Sequence, residues 1–292
     1  MQVYHLTKEE LTMNAHEYAL QANGSFALPD ACFKVKALME DDNSAISDFA
    51  DVISVDPSMT SRLLQIANSA IYRFPGEIST ISRAVTIIGT QAIYNMMLVD
   101  VAASAFKHFE NQAINLKRFW RMSIYCGLVT KNLAIKAGIK DIERLFVAGL
   151  LQNFGELLVA KITPEVAQRC EKYSRDNLPW ALQDLALGFT YTDISAELLK
   201  IWQLPEKIII PIRHFNQAQS YQINQDVKVL NLASRLALLE SHGDEFDYEE
   251  LIDESLCKSL KLSKEDIEQV TEIADNDAAS ILTVMNPKLF SR

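Results

Sequence analysis

The stretch 145-LFVAGLLQNFGELLVAKI-162 is apolar apart from two neighbouring amides, one glutamate and one lysine, and it decides the fold class. A segment this hydrophobic is typical of a helix in a protein core. The amides, Gln152 and Asn153, stand at its centre with Gly149 and Gly155 around them. A buried amide needs hydrogen-bond partners for two donors and an acceptor. The pair therefore consists either of satisfied core groups or of residues at a functional site.

Helix signals dominate the rest of the chain. Only 9 glycines and 8 prolines occur in 292 residues, too few for a turn-rich all-β fold. Thr7 with Glu10 has capping-box spacing, and Thr163 precedes a proline as a helix-capping residue would. The strand-like run EKIIIPI contains Pro211, which would disrupt a sheet ladder. We expect an all-α protein of about a dozen helices.

The segment 56-DPSMTSRLLQIANSAIY-72 carries the clearest local signals. Asp56 is placed to cap free backbone N–H groups, and Pro57 occupies the first helical turn, where its missing N–H costs nothing. Asn68 and Ser69 are expected to bind backbone groups at the end of that helix. Gly89 is expected to end a short helix in a conformation that other residues avoid.

Polar and acidic stretches suggest three parts: an N-terminal helical part (1–110), a central helical bundle (111–242) and an acidic C-terminal helical extension (243–292). The last part has 13 acidic and 5 basic residues, whereas everything before it has 25 acidic and 23 basic residues. No basic stripe is available to displace counterions from nucleic acid, so a nucleic-acid partner is not expected.

Hydropathy and cysteine usage point to a cytoplasmic protein without a membrane partner. The first residues lack a basic region followed by an apolar core, and no uninterrupted apolar run is long enough to span a bilayer. The four cysteines are far apart and are expected to be reduced thiols: Cys32, Cys126, Cys170 and Cys257.

Chemical motifs are scarce. No two of the five histidines have the spacing that would put both imidazoles on one helix face as metal ligands. Phosphate-binding glycine loops and the nucleophile elbow are absent from the sequence. His214, after an apolar run, is the histidine best placed to face a pocket. Trp120 and Trp202 are interpreted as core residues.

Several blocks, in this order, resemble the HDOD proteins, the HD-related output domains of bacterial signalling. They are LPDACFKVKALMED, DVISVDPSMTSRLLQIANSAIY, ISTISRAVTIIGTQAI, FWRMS, GLLQNFGELL and AELLKIWQLPEKI, the last containing Trp202 and Pro205. The similarity runs from about Leu28 to about Ser234, and the residues beyond Gly243 carry little of it. It implies an HD-like helical bundle.

The resemblance also implies where a metal site would lie. HD-superfamily enzymes are metal-dependent phosphohydrolases whose histidine and aspartate side chains hold divalent ions. The matching positions here are Met122, the pair Gln152 and Asn153, Tyr191 or Thr192, and Ser234, with His214 as the remnant histidine. Neutral amides, a thioether and hydroxyls replace the histidine and aspartate ligands. The resemblance therefore implies a vestigial pocket with no catalytic residues, metal or cofactor.

Three functions follow from this interpretation. The first is a non-catalytic bacterial signal-transduction module that binds a signalling protein or a small nucleotide-like ligand. The second is a metal-dependent phosphohydrolase of nucleotides or phosphodiesters with an altered site, built from His214 with Asp193 or Glu197. The third is a nucleotide-sensing domain without turnover. The first is the leading hypothesis.

Overall fold

A computed structural model describes residues 13–23, 29–69, 72, 76–105, 113–217, 224–243 and 245–285. Within these ranges the chain is helical and contains no strand, only an isolated bridge between Ser174 and Asn177. This confirms the predicted all-α fold class. The capping box expected at Thr7 and Glu10 lies outside the described residues.

Seventeen α-helices and one 3-10 turn (Phe215–Gln217) make up the described structure. The α-helices are, in chain order, α1 (Ala15–Asn23), α2 (Asp30–Glu40), α3 (Ile46–Ser54), α4 (Pro57–Ala67), α5 (Ile81–Ile88), α6 (Thr90–Ala105), α7 (Leu116–Lys136), α8 (Ile142–Leu151), α9 (Gly155–Ile162), α10 (Pro164–Cys170), α11 (Pro179–Leu187), α12 (Tyr191–Ile201), α13 (Glu206–Arg213), α14 (Gln225–Ser241), α15 (Tyr248–Leu251), α16 (Glu254–Ser259) and α17 (Lys264–Met285).

The stretch 145–162 is two helices rather than one. It supplies most of α8 and all of α9, and a turn at 152–154 separates them. The periodicity of apolar residues continues across this turn, so sequence alone predicted too few helices. The turn changes the direction of the chain just at the two amides, which places them at the end of α8 instead of inside a continuous helix.

The helix-end signals around α4 act as predicted. The Asp56 carboxylate accepts hydrogen bonds from the N–H groups of Ser58 (2.8 Å) and Met59 (3.1 Å). The Asn68 amide donates to the carbonyl of Ile78 (2.8 Å) and accepts from its N–H (2.8 Å), so it ties the end of α4 to the segment before α5. The Ser69 hydroxyl donates to the Ile66 carbonyl (2.6 Å).

The end of α5 and the start of α10 differ from what the sequence predicts. Gly89 ends α5 with φ 91° and ψ 157°, a positive φ that glycine tolerates but outside the left-handed helical region. Thr163 precedes α10, but its side chain makes no capping bond, so the predicted cap is wrong. Its hydroxyl instead forms a hydrogen bond with the Tyr18 hydroxyl at 2.9 Å, which connects α1 to the corner between α9 and α10.

The centre of the molecule is the long helix α7, which packs against α8, α14 and α17. Most of the buried apolar residues form one core that reaches from α1 to α17, and Leu238, Phe246 and Leu251 form a small second cluster. Trp120 and Trp202 are both buried in the larger core, as predicted. The predicted parts 1–110, 111–242 and 243–292 share this core, and their boundaries stay predictions.

Close packing explains the two glycines that flank the amides. A Cβ atom at Gly149 would lie 2.6 Å from the Thr130 hydroxyl of α7, and one at Gly155 would lie 2.2 Å from the Tyr191 carbonyl oxygen. Only glycine allows α8 to approach α7, and α9 to approach α12, this closely. The glycines therefore position the turn that carries Gln152 and Asn153.

Pro211 lies inside α13, confirming that EKIIIPI forms a helix. Proline has no N–H to donate to the carbonyl four residues earlier, that of Lys207. The Arg144 guanidinium fills that role by donating to the Lys207 carbonyl at 3.3 Å. It also donates to both carboxylate oxygens of Asp226 (2.8 and 3.1 Å), so one side chain joins α8, α13 and α14.

One segment has the length and apolar composition of a membrane span, although the sequence was not expected to contain one. It runs over Ile142–Ile162, and 83% of its most apolar window is buried inside the protein. Burial of this kind is typical of core helices, and α8 and α9 are separated by a turn. The four cysteines, which were predicted to be reduced thiols, are free, and all four are buried.

Candidate functional site

A small cavity lies where α7, α12 and α14 meet the turn between α8 and α9. Of the predicted pocket residues, the structure brings together Met122, Gln152, Asn153, Tyr191 and Ser234 along its wall. Thr192, the alternative to Tyr191 at one matching position, lines it as well. Residues distant in sequence thus converge as the resemblance implied.

His214 does not line this cavity. It follows the last turn of α13, and its Nδ1 lies 3.2 Å from the side-chain oxygen of Gln217. The next residue, Phe215, lines the cavity instead. The grouping of His214 with the other pocket residues is therefore wrong, because the end of α13 turns the imidazole toward the 3-10 segment.

The remaining predicted residues are structural. Asp56, Pro57, Asn68, Ser69 and Gly89 shape the helix ends described above, away from the cavity. Trp202 ends α12 and is buried, and its indole N–H has no hydrogen-bond partner among the residues that the structure describes. Pro205 precedes α13 with an extended backbone.

The cavity is small. The space open to the centre of a water-sized sphere is about 70 Å³, whereas sites for drug-sized ligands measure roughly 300–1,000 Å³. Gln152 and Asn153 are half-buried at its edge, so solvent in the cavity can serve part of their hydrogen-bonding capacity. The expectation that they face inward beside Met122 and Tyr191 agrees with this geometry.

Glu156 is a carboxyl group of this cavity that sequence analysis passed over. It is buried, and the Asn153 side-chain amide donates a hydrogen bond to its carboxylate. Burial raises the pKa of Glu156 to about 7, although Arg118 and the Asn153 bond pull it down. The three-residue spacing from Asn153 was the available signal, since that spacing puts both side chains on one side of a helical turn.

Arg118 is the cation of the cavity, and its charge is already partnered. Its guanidinium forms an ion pair with Glu171 and lies 5.9 Å from the centre of the Tyr173 ring. The Tyr173 hydroxyl is 2.9 Å from Nε2 of His242. Burial, with help from Arg118, lowers the pKa of His242 and so favours its neutral form. No motif marked Arg118, Glu171 or Tyr173, because their partnership depends on the fold.

Two thiols also face the cavity in their protonated form. Burial raises the pKa of Cys126 to about 11, and it raises the pKa of Cys170. The Cys126 sulfur lies 3.4 Å from the Ser234 hydroxyl. Burial likewise raises the pKa of Tyr191 far above its ordinary value. Cysteine binds metals as the thiolate, so these groups are poor ligands at neutral pH.

The donor set does not fit the divalent ion that an HD-type hydrolase holds. Such ions take carboxylate oxygens and neutral imidazoles, and the matching positions carry a thioether, two amides and hydroxyls. In the described part of the chain no three histidine, cysteine, aspartate or glutamate side chains are grouped to hold a metal.

The altered site considered for a hydrolase is not assembled either. Glu197 pairs with His16, whose Nδ1 lies 2.8 Å from its carboxylate. Asp193 accepts hydrogen bonds from the N–H and the hydroxyl of Thr190, both at 2.7 Å. His214 therefore has neither acid as its hydrogen-bond partner.

A wider polar recess of about 710 Å³ lies beside the cavity and shares Trp180 and Thr190 with it. The Arg235 guanidinium lies 4.9 Å from the centre of the Trp180 ring and donates to the Asn231 side chain at 2.9 Å. Asp184 and Asp193 also line the recess. Its mixed charges show no preference for an anionic or a cationic ligand.

Comparison with known proteins agrees with this architecture. The structure of a "Putative phosphohydrolase" from Shewanella amazonensis SB2B is similar over 94% of this chain and 100% of its own, with TM-score 0.69 and 22% identity. An HDOD domain protein with unknown function from Geobacter sulfurreducens gives TM-score 0.69 and 20% identity over 95% of this chain and 99% of its own. A "Putative signal transduction protein" from Marinobacter aquaeolei VT8 gives TM-score 0.68 and 20% identity over 97% of this chain and 68% of its own. At these identities the likeness shows the fold.

A curated relative, an uncharacterized protein of Treponema pallidum (strain Nichols), is 26% identical over 193 residues. The match covers 65% of this chain and 37% of the relative, so the chain spans well under half the length of that protein. The model of the HDOD domain family matches residues 26–218, about two thirds of the chain. The chain therefore belongs to the HDOD domain family.

Proposed function

We propose that this chain is a non-catalytic regulatory module that acts by binding a partner protein in bacterial signal transduction. The observation that carries the proposal is the chemistry of the cavity. Two carboxylates line it among the described residues, and both are already partnered. Glu156 accepts a hydrogen bond from Asn153, and Glu171 forms an ion pair with Arg118.

The size of the cavity supports a regulatory function over nucleotide turnover. At about 70 Å³ it holds a few water molecules, and a nucleotide would require the surrounding helices to separate. Signal input would reach such a body through surface contacts that favour one of two helix packings. The names of the structural neighbours point both ways, one to signal transduction and others to phosphohydrolases. Four buried free thiols suit a cytoplasmic protein.

The catalytic half of the proposal is tested with the purified chain, manganese or magnesium, and a panel of nucleotides and phosphodiesters. We expect no turnover above that of a metal-only blank. Turnover that disappears in Glu156→Gln or His214→Ala, while Glu272→Gln keeps it, would contradict the proposal. Glu272 is an exposed residue of α17 outside the cavity, which makes it a matched charge control.

The binding half is tested by cross-linking in the cells that produce the protein. A partner that is recovered reproducibly, and equally with wild type and Gln152→Ala, supports action through the surface. Failure to recover any partner with either wild type or Gln152→Ala counts against the proposal.

A nucleotide sensor is the second candidate, and the observation that favours it is the size of the recess lined by Trp180 and Arg235, about 710 Å³, within the roughly 300–1,000 Å³ of small-molecule sites. A ligand that binds only the folded state raises the melting temperature in proportion to the logarithm of its concentration. Saturable stabilisation by a nucleotide in a thermal-shift screen would support the sensor. Unchanged melting across the panel would leave the partner-binding module as the better account.

A further inference from the structure

A groove of about 390 Å³, separate from the cavity and the recess, opens between α7, α14, α15 and α17. Its floor includes Leu236 and Ile267, both buried, and its walls include the rings of Tyr125 and Tyr248. Apart from Tyr125, its lining lies beyond residues 26–218, which the family model covers. The groove is therefore built mainly by α14 and the acidic extension, and not by the part of the chain that the family shares.

The groove and the cavity are different spaces separated by α14. Ser234, Ala237 and Leu238 of this helix line the cavity, whereas Leu236, Leu239 and Glu240 line the groove. At 100° per residue the two sets lie on different sides of the helix. An occupant of the groove thus contacts a helix that also forms the cavity wall, without entering the cavity.

The groove is strongly negative. Glu240, Glu249, Glu268 and Asp275 line it, against the single ammonium of Lys264. The Arg121 side chain, which is not part of the lining, forms an ion pair with Glu240. Partial burial, and after it the repulsion from Glu240, raise the pKa of Asp275. Carboxylates crowded in this way favour a cation between them.

A buried tyrosine in the same groove points independently to a ligand. Tyr125 is only 2% exposed and lines the groove, yet its hydroxyl forms no hydrogen bond with any residue that the structure describes. Asp275 and Glu240 lie close enough to raise its pKa, after the larger effect of burial. The Tyr125 hydroxyl is not among the fully enclosed polar atoms that lack a partner, so it opens to the groove, where a donor from outside the chain can bond to it.

We propose that this groove binds a basic side chain, lysine or arginine, presented by a partner protein. The aliphatic stem would lie along Leu236 and Ile267, and the cationic head would donate to the Tyr125 hydroxyl and to the carboxylates of Glu240 and Asp275. Long basic side chains cover apolar surface with their stems in this way while their charge stays at the polar end. The claim that the occupant belongs to a protein rests on the proposed function, but the affinity of the groove for a cation does not.

The cation claim is tested by an NMR chemical-shift titration of the full chain with N-acetyl-lysine methylamide. The matched probe is N-acetyl-norleucine methylamide, which has a similar stem and no charge, at equal ionic strength. We expect saturable shifts in α14 and α17 with the lysine probe only. Each carboxylate removed, as in Asp275→Asn or Glu268→Gln, should weaken binding about threefold, and Glu272→Gln should leave it unchanged. Equal shifts with both probes, or equal effects of Glu272→Gln, would overturn the site.

Tyr125→Phe tests the hydroxyl with its own control for folding. Because the hydroxyl has no partner among the described residues, its removal should leave the melting temperature unchanged or higher. The affinity for the lysine probe should fall severalfold. A lower melting temperature would show that the hydroxyl serves the fold and would contradict the inference.

The two proposals fail in distinguishable ways. If the double variant Glu268→Gln with Asp275→Asn loses the lysine probe but captures the cellular partner as wild type does, the groove is not the partner site, and the regulatory function stands. If the chain hydrolyses a phosphodiester, the regulatory function fails, while the lysine titration is unaffected. A double variant that loses both the probe and the partner supports both proposals.

Discussion

The cavity at Gln152 and Asn153 and the groove at Tyr125 lie on different sides of α14, and they differ in almost every physical respect. The cavity offers about 70 Å³ and the groove about 390 Å³. In the cavity, Arg118 is paired with Glu171 and the Glu156 carboxylate with the Asn153 amide. In the groove, carboxylates outnumber cations, and the hydroxyl of Tyr125 has no partner among the described residues.

The difference separates a site whose charged groups are partnered within the chain from one where several carboxylates and a hydroxyl are not. Polar groups that satisfy each other in a confined space stabilise one arrangement of helices. Polar groups that stay unsatisfied beside open space gain most from a molecule that arrives from outside. The position that the family resemblance matches is thus the smaller space with partnered charges, and the proposed binding region is formed mainly by α14 and the C-terminal helices. Three substitutions would break or sharpen this contrast.

The largest effect is expected from Gly155→Ala, which adds a methyl group to the helix beside the cavity. The new Cβ would lie 2.2 Å from the Tyr191 carbonyl oxygen, a backbone atom that cannot move without shifting α12. We expect the free energy of unfolding to fall by about 3 kcal/mol or more, measured by urea denaturation.

Gly138→Ala is the matched control for that substitution. Gly138 has φ 69°, and a methyl group added there would have no neighbouring atom within 4 Å. Backbone strain alone should cost about 1 kcal/mol at this position. Equal costs at the two positions would mean that α9 and α12 are not in the close contact described, and the cavity would lose its rigid wall.

Glu156→Gln should alter the pH dependence of stability. Because burial raises the pKa of Glu156 from 4.5 to about 7, the folded protein keeps the proton while the unfolded chain loses it between these values. Stability from this group is therefore highest below the unfolded pKa, falls as pH rises toward 7, and stays low above it. The uncharged variant should be about 2 kcal/mol more stable than wild type near pH 8 and equal to it near pH 4.

Urea unfolding of both proteins across this pH range measures the effect, and Glu272→Gln should follow the wild-type curve. Parallel curves for wild type and Glu156→Gln would show that the carboxylate is well solvated. The cavity would then be an open polar site rather than a closed one.

The smallest effect is expected from Asp275→Asn in the groove. Asp275 is exposed, and Glu240 is its acidic neighbour, so relief of repulsion should stabilise the fold by no more than about 0.5 kcal/mol. The gain should shrink at high salt because exposed charges are screened. A clear loss of stability would show that Asp275 supports the fold, and the groove would resemble the cavity in its function.

Local rules predicted the helices well because helix ends are decided by neighbours in sequence. Asp56 and Pro57 start α4, and Pro211 sits in a helix despite its β-branched surroundings. The same rules failed at Thr163, whose hydroxyl is taken by Tyr18, 145 positions away. They also missed the turn at 152–154, since apolar spacing alone does not record a change of direction.

The candidate site was predictable in part. The family resemblance indicated that Met122, Gln152, Asn153, Tyr191 and Ser234 would meet, and they share one cavity. It misplaced His214, because a helix terminus can direct a side chain away from its neighbours. Arg118 was not predicted, since an arginine paired with a distant glutamate leaves no pattern along the chain.

The sequence by itself determined the all-α class and helix starts such as that of α4 at Asp56 and Pro57. Through the family resemblance it also predicts that the anionic metal ligands of HD enzymes are replaced here. These depend on residue identity and on neighbours within a few positions. Only the tertiary structure decided that the cavity is small, that Glu156 is buried in it, and that Tyr125 faces an acidic groove. Burial and unsatisfied hydrogen bonds depend on what distant helices bring into contact, and that information exists only once the chain has packed.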